Sequence, residues 1–214
     1  MSNNLSKLLA ISVVLLIFTV AIISAGVIEQ TYTFSDYKIT NRDGYQIVNF
    51  KRTHPTGKVG EPVLPYHAVS LLLPPGEIAE SIEILGQEET IIPGEFQLYP
   101  RQYSRPISIG KSGVFVKSRS VYESSEQYPK KLYGEISTHY MNGYSFVLST
   151  FTPLQYYPKS GKVSFFKKIT VKIMTTPDIK SEIALSSLSA SNKIRKRVQT
   201  FAQNPNLIST YPGR

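Results

Sequence analysis

Along most of this chain the apolar positions recur with a period of two, the spacing of a strand with one face turned inward. Tyr32, Phe34, Tyr37 and Ile39 precede Asn41-Arg42-Asp43-Gly44, and Tyr45, Ile47, Val48 and Phe50 follow it. Alternation on both sides of Asp-Gly predicts a hairpin, because that pair supplies the positive φ angles a tight turn needs. His54 to Pro62 reads as a polar loop leading into a strand from Tyr66 to Leu73. Pro74-Pro75-Gly76 ends it, since proline has no N–H to give a ladder. A second strand is expected from Ile78, closing in the acidic Gln87-Glu88-Glu89.

Between Pro93 and Pro106 the prolines and the aromatics Phe96, Tyr99 and Tyr103 predict an extended crossing between sheets. Val114 to Val116 is a short β-prone run, and Ser118 to Gln127 is a polar loop. Strands follow at Ile136–Tyr140, Tyr144–Thr150 and Val163–Ile173, the last two joined by a turn over Phe151–Lys162 that is rich in proline and glycine. About eight to ten strands with little helical periodicity predict an all-β fold, an antiparallel and jelly-roll-like β-sandwich over residues 27–177.

The two ends depart from this pattern. Leu8 to Ile28 carries no charge, follows Lys7, and ends in Ser24, Ala25 and Gly26. Residues 1–26 therefore read as the helix of a signal peptide, cleaved after Ala25 or Gly26. The alternative is an uncleaved membrane anchor, because about 20 apolar residues cross a bilayer. Residues 178–214 read as a Ser-rich linker, a short basic helix and the start of a following domain. In the helix, Asn192 to Ala202, Ile194, Val198 and Phe201 share one face; Lys193, Arg195, Lys196 and Arg197 take the other, and Pro205 stops it.

Candidate chemistry is thin. There is no cysteine among the 214 residues, which excludes a thiolate nucleophile, a cysteine zinc cluster and a disulfide framework. His54, His67 and His139 are far apart and lack metal-ligand spacing, so neither metal nor cofactor is expected. Ser145 lies within a strand and lacks the glycines of a nucleophile elbow. Glu88 and Glu89 point to opposite faces and cannot act as a paired acid and base. The net charge of +9 is scattered along strands without a nucleic-acid recognition motif, so nucleic acid is not an expected partner. Fourteen tyrosines remain, and Tyr99, Tyr103, Tyr156 and Tyr157 would serve a carbohydrate-binding or adhesion module if they formed an exposed strip.

Gly60-Glu61-Pro62-Val63-Leu64-Pro65 and the stretch from Gly143 through Phe151-Thr152-Pro153-Leu154-Gln155-Tyr156-Tyr157-Pro158-Lys159-Ser160-Gly161 to Lys172 are the most specific signals. In this order and spacing they resemble the N-terminal propeptide domain of gingipain-type cysteine peptidases, over about Tyr32 to Thr176. The resemblance implies a secreted β-sandwich that assists folding of a peptidase domain, covers its active-site cleft and is removed by proteolysis. It implies one partner, the catalytic domain of the cognate cysteine peptidase, in cis or in trans, with a membrane involved only through an uncleaved leader. In relatives specific for basic residues, a loop Lys or Arg fills the acidic specificity pocket. Candidates for that part are Lys130 and Lys131, then Lys117 and Arg119, and Arg195, Lys196 and Arg197 are candidates for processing. These residues themselves are expected to perform no catalysis.

Overall fold

The computed structural model describes residues 26–104 and 114–213. The signal-peptide reading of residues 1–25, including Ala25, lies outside the described residues. Among the described residues there are ten strands: β1 (Gly26–Thr33), β2 (Tyr37–Arg42), β3 (Tyr45–Phe50), β4 (His54–Thr56), β5 (Leu64–Leu72), β6 (Glu77–Ile92), β7 (Ser137–Met141), β8 (Tyr144–Phe151), β9 (Leu154–Tyr157) and β10 (Lys162–Pro177). They are accompanied by the α-helices α1 (Arg119–Tyr122), α2 (Ile179–Ser186) and α3 (Asn192–Phe201).

All named strand pairs are antiparallel. One sheet runs β1-β10-β6 with β9 also on β10; the other runs β4-β5-β8-β7; β2 and β3 form a separate hairpin. Its turn is the expected one, with Asp43 at φ 49° and Gly44 at φ 82°. The inward faces build one core from Val69, Leu71, Val147 and Phe151 on one sheet and Val163, Phe165, Ile169, Val171 and Ile173 on the other. Burying each such side chain contributes about 1.5–3 kcal/mol before ordering costs. The architecture is the expected all-β sandwich.

Two strands exceed their expected length. β6 and β10 pair from Glu77 to Ile92 and from Pro177 to Val163. Of the acidic residues expected to close β6, Glu88 is exposed beside Lys168 at 3.7 Å, while Glu89 is also exposed and accepts from the Ser164 hydroxyl at 2.6 Å. Charge there marks a solvated face of a continuing strand.

Several expectations are corrected. The stretch 151–162 is not one turn, because Leu154–Tyr157 is strand β9 and only the residues after it turn back. Val114–Val116 forms no strand; Val116 is held by the Gln102 side chain, which accepts from its N–H at 2.8 Å and donates to its carbonyl at 2.7 Å. The polar loop after it contains α1. Residues 178–190 are not a linker: Asp178 caps α2 by accepting from the N–H groups of Lys180 and Ser181. Pro205 does not stop α3, which ends at Phe201; it opens a 3-10 helix over Pro205–Thr210.

The helical end packs on the sandwich. Leu188, Val198, Ala202, Ile208 and Tyr211 bury themselves against Leu72, Tyr144 and Phe146. Phe201, expected on the packed face of α3, is 47% exposed and touches Phe146 edge-on at 5.2 Å. No helix among the described residues is long and apolar enough to cross a membrane.

Candidate functional site

The Gly60–Pro65 motif is the hub of one end of the molecule. Gly60 takes φ 81°, and its N–H donates to the Arg101 carbonyl at 2.7 Å while its own carbonyl accepts from Ser118 at 2.8 Å. Arg101 N–H returns to the Glu61 carbonyl at 2.9 Å, and Val63 N–H donates to Tyr99 O at 2.8 Å. A Cβ at Gly60 would lie 3.1 Å from Val116, so glycine suits both the turn and the close approach. The segments 59–63, 99–102 and 116–118 are thereby tied together.

Tyr156 ties β9 to the same end. Fully buried, it donates from its hydroxyl to the Phe96 carbonyl at 3.0 Å, with the Leu98 N–H at 3.5 Å. Its backbone exchanges two hydrogen bonds with Tyr128, at 2.7 and 2.9 Å. Tyr128 in turn donates from its hydroxyl to Glu61 Oε2 at 2.9 Å. Burial, then the hydrogen bond and charge of Glu61, holds the Tyr128 phenol far above its ordinary pKa. It remains a donor at any physiological pH.

This fixes the near end of the segment carrying Lys130 and Lys131. The far end is fixed by Thr152 N–H on the Leu132 carbonyl and by Gly134 N–H on the Thr150 carbonyl, both at 2.8 Å. The two lysines are exposed between these anchors. Lys130 pairs with Glu126 at 3.0 Å, both side chains well into solvent; such a pair is worth little. Lys131 makes no ion pair among the described residues and lies 6.0 Å from the Tyr133 ring.

Lys117 and Arg119 are also exposed and reach the same hub through Ser118. They are engaged differently. Lys117 Nζ stands 4.6 Å from the Tyr122 ring and 5.1 Å from that of Tyr45, and Arg119 Nε is 2.7 Å from Glu123. Below Lys130 and Lys131 opens a cleft of about 800 Å³ lined by Lys58, Glu61, Tyr66, Ile82, Tyr133 and Ile136, among others. Burial and Glu61 also raise the Tyr66 phenol. The cleft thus has an aromatic floor, hydroxyl donors and a rim of mixed charge.

Arg195, Lys196 and Arg197 do not belong to this site; they lie in α3. Sequence reasoning missed Glu61 as the carboxylate that anchors the loop, although it stands in the motif, because nothing in sequence places it beside Tyr128. The tyrosine strip is absent: Tyr99 is 4% and Tyr156 0% exposed, against 63% for Tyr103. His67 is enclosed by Tyr32, Phe34 and Phe151 with Nδ1 donating to the Arg52 carbonyl at 3.0 Å. No group of three acidic or imidazole side chains that could hold a metal occurs among the described residues.

The family model described as Propeptide_C25 matches residues 27–199. The fold is similar to that of gingipain K from Porphyromonas gingivalis, solved in a study of its zymogenic latency. Identity is 19% and the TM-score 0.58, over 71% of this chain and 88% of that one. It is also similar to a chain in the complex of the Porphyromonas gingivalis RgpB pro- and mature domains. There the identity is 14% and the TM-score 0.62, over 84% of this chain and 93% of that one. No curated protein matches. At these identities the structural likeness concerns the fold, and the family match, which spans most of the chain, decides membership. The chain belongs to the Propeptide_C25 family, the gingipain-type propeptides that form the non-catalytic part of cysteine peptidase precursors.

Proposed function

We propose that this domain keeps the catalytic domain of its cognate cysteine peptidase latent, and assists its folding, by seating the Lys130-Lys131 loop in the peptidase active-site cleft. The observation that carries the reading is the double anchoring of that loop. Tyr128 is bound to Tyr156 and Glu61 on one side, and Leu132 and Gly134 to β8 and its continuation on the other. A loop already held in one shape loses little further entropy on binding. The same rigidity lets it offer a basic side chain as a substrate would without relaxing into a cleavable geometry.

Lys131 is the residue we assign to an acidic specificity pocket. It alone of the four candidates is neither ion-paired nor shared between two aromatic rings, so it reaches a carboxylate at least cost. Lys130 stands next to it as the alternative. The cleft below would take the apolar rim of the peptidase pocket against Tyr66, Tyr133, Ile82 and Ile136. The solved structures of gingipain K latency and of the RgpB pro- and mature domains support a peptidase partner. Contact in cis within a precursor and in trans with a separate domain are both compatible with a surface loop.

Secretion to the exterior or the cell surface is part of this reading. Cleavage of the leader after Ala25 or Gly26 belongs to the same reading. Final processing would fall on Arg195, Lys196 or Arg197. The domain boundaries we propose are residues 1–26 for the leader and a sandwich extended by the packed α2 and α3.

The test is inhibition of the cognate peptidase by the purified chain and its variants. K130A/K131A should weaken inhibition by about 30-fold or more, the usual loss for one partner of a desolvated charge pair. Both side chains are solvent-exposed, so folding should be unaffected. A double variant that inhibits as tightly as the wild type overturns the assignment.

A further inference from the structure

The basic run Arg195-Lys196-Arg197 lies inside α3, with Val198 directly after it fully buried. Peptidases bind their substrates as extended chains. No bond of this run can therefore be cut until α3 unwinds. A helix of ten residues has little stability of its own in water, so what keeps the run closed is the attachment of the segment behind it.

That attachment imitates a strand. Beyond the short β4 pairing, the outer edge of β5 has no strand neighbour among the described residues, and Gln203 and Asn204 occupy it with their amides. Gln203 gives its backbone N–H to the Ser70 carbonyl at 2.9 Å and its Nε2 to the Ala68 carbonyl at 2.9 Å. Its Oε1 accepts from Ser70 N–H at 3.0 Å and from the Tyr32 hydroxyl at 2.6 Å. Asn204 meets Leu72 with both amide atoms, Oδ1 accepting at 2.7 Å and Nδ2 donating at 2.9 Å. Further on, Tyr211 is 3% exposed; its hydroxyl donates to the Leu73 carbonyl at 2.8 Å and accepts from Ser145 N–H at 3.1 Å. Arg195 itself reaches across to the Ile208 carbonyl at 3.4 Å.

We infer that residues 188–211 form a clamp that withholds the Arg195-Lys196-Arg197 run from basic-specific proteolysis and, once the run is cut, keeps the C-terminal piece bound to the sandwich. The first half follows from local unfolding: when opening and closing are fast, cleavage proceeds at the intrinsic rate multiplied by the small population of the open clamp. The second follows from the order of residues. Hydrolysis adds the hydroxyl of a water to the carbonyl carbon of the cut residue and its remaining hydrogen to the released amine. Val198, Ala202, Gln203, Asn204, Ile208 and Tyr211 all lie beyond that bond, so every docking contact they make survives it. Cutting and release are then separate steps. The inference uses the processing assignment proposed above but not the inhibitory loop.

The experiment is limited trypsin digestion of the intact chain, so its outcome is independent of whether the chain inhibits any peptidase. Mass spectrometry follows the bonds after residues 195–197, with the bond after Arg52, in an exposed turn, as internal reference. A free peptide of residues 191–202 supplies the unprotected rate. Wild-type chain should be cut at the run at least 100-fold more slowly than the peptide, and native mass spectrometry of the nicked sample should retain the C-terminal piece. Q203A/N204A should raise the rate at the run by about 10- to 100-fold with the Arg52 bond unchanged, and should lose the piece after nicking. Cleavage of wild type at the rate of the peptide, or departure of the piece on nicking, would overturn the inference, and neither comparison depends on a variant that must fold.

Discussion

Replacing Tyr156 by phenylalanine removes one oxygen and nothing else, which isolates the link between β9 and the hub that carries the lysine loop. The ring stays, so no cavity forms. The hydroxyl that disappears serves the Phe96 carbonyl at 3.0 Å, with the Leu98 N–H at the longer distance of 3.5 Å. Leu98 is 0% and Phe96 7% exposed, so water does not readily replace the lost partner. A buried polar group stripped of its bond costs about 1–3 kcal/mol. The shorter bond carries most of this, and the expected loss is about 2 kcal/mol. For a chain of this size that is a fall in Tm of about 4–8 °C. Thermal and urea unfolding followed by circular dichroism should show it, with the urea m-value unchanged because the surface exposed on unfolding is the same. The neighbouring Tyr157 has no side-chain hydrogen bond among those described, and Tyr157→Phe should stay within about 0.5 kcal/mol of wild type. A Tyr156→Phe variant as stable as Tyr157→Phe would refute the reasoning.

Gly143→Ala should cost more than about 2 kcal/mol, because Gly143 holds φ 87° and an added Cβ would lie 2.4 Å from Leu188 Cα. Hydrogen exchange should then quicken in residues 179–188 before the sandwich strands respond. Tyr128→Phe breaks the bond to Glu61 and should weaken inhibition by about tenfold while Lys130 and Lys131 are untouched, read from inhibition curves. Stability should fall as pH drops below about 6.5. Burial, outweighing the carbonyl contact, lowers the His67 pKa in the folded chain. The unfolded chain therefore takes up the proton first, and folding loses free energy from the unfolded value down to the depressed folded one. Tm measured between pH 7.5 and 5 should show this slope, and His67→Gln should flatten it.

The sandwich was readable because its strands keep a period of two and its first hairpin carries Asp43-Gly44. The lengths of β6 and β10 were less so, since glutamates opposite lysines resemble a strand end when the partner strand is unknown. Helix α2 was hidden for the opposite reason: its Ser-rich composition reads as a linker, and its apolar pair Ile179 and Ile183 is 71% and 66% exposed rather than packed. Tyrosine spoke ambiguously. Tyr156 and Tyr103 look alike in sequence, yet one is a buried hydrogen-bonding strut and the other faces solvent, because a phenol satisfies either setting. At the candidate site, the exposed lysines were legible as charge in a Pro-flanked loop. Their anchors Glu61 and Tyr156 were not, being 67 and 28 residues from Tyr128 in the chain. The strand-like use of Gln203 and Asn204 also depends on which edge the fold leaves open, which no local pattern records.

The claim that this chain shields a peptidase active site is tested most directly by the alkylation rate of the catalytic cysteine of the cognate peptidase, measured with iodoacetamide in the presence and absence of the chain. The account predicts that a saturating amount of chain slows alkylation by at least tenfold and that K130A/K131A restores it. An alkylation rate that is the same with and without the chain would contradict it.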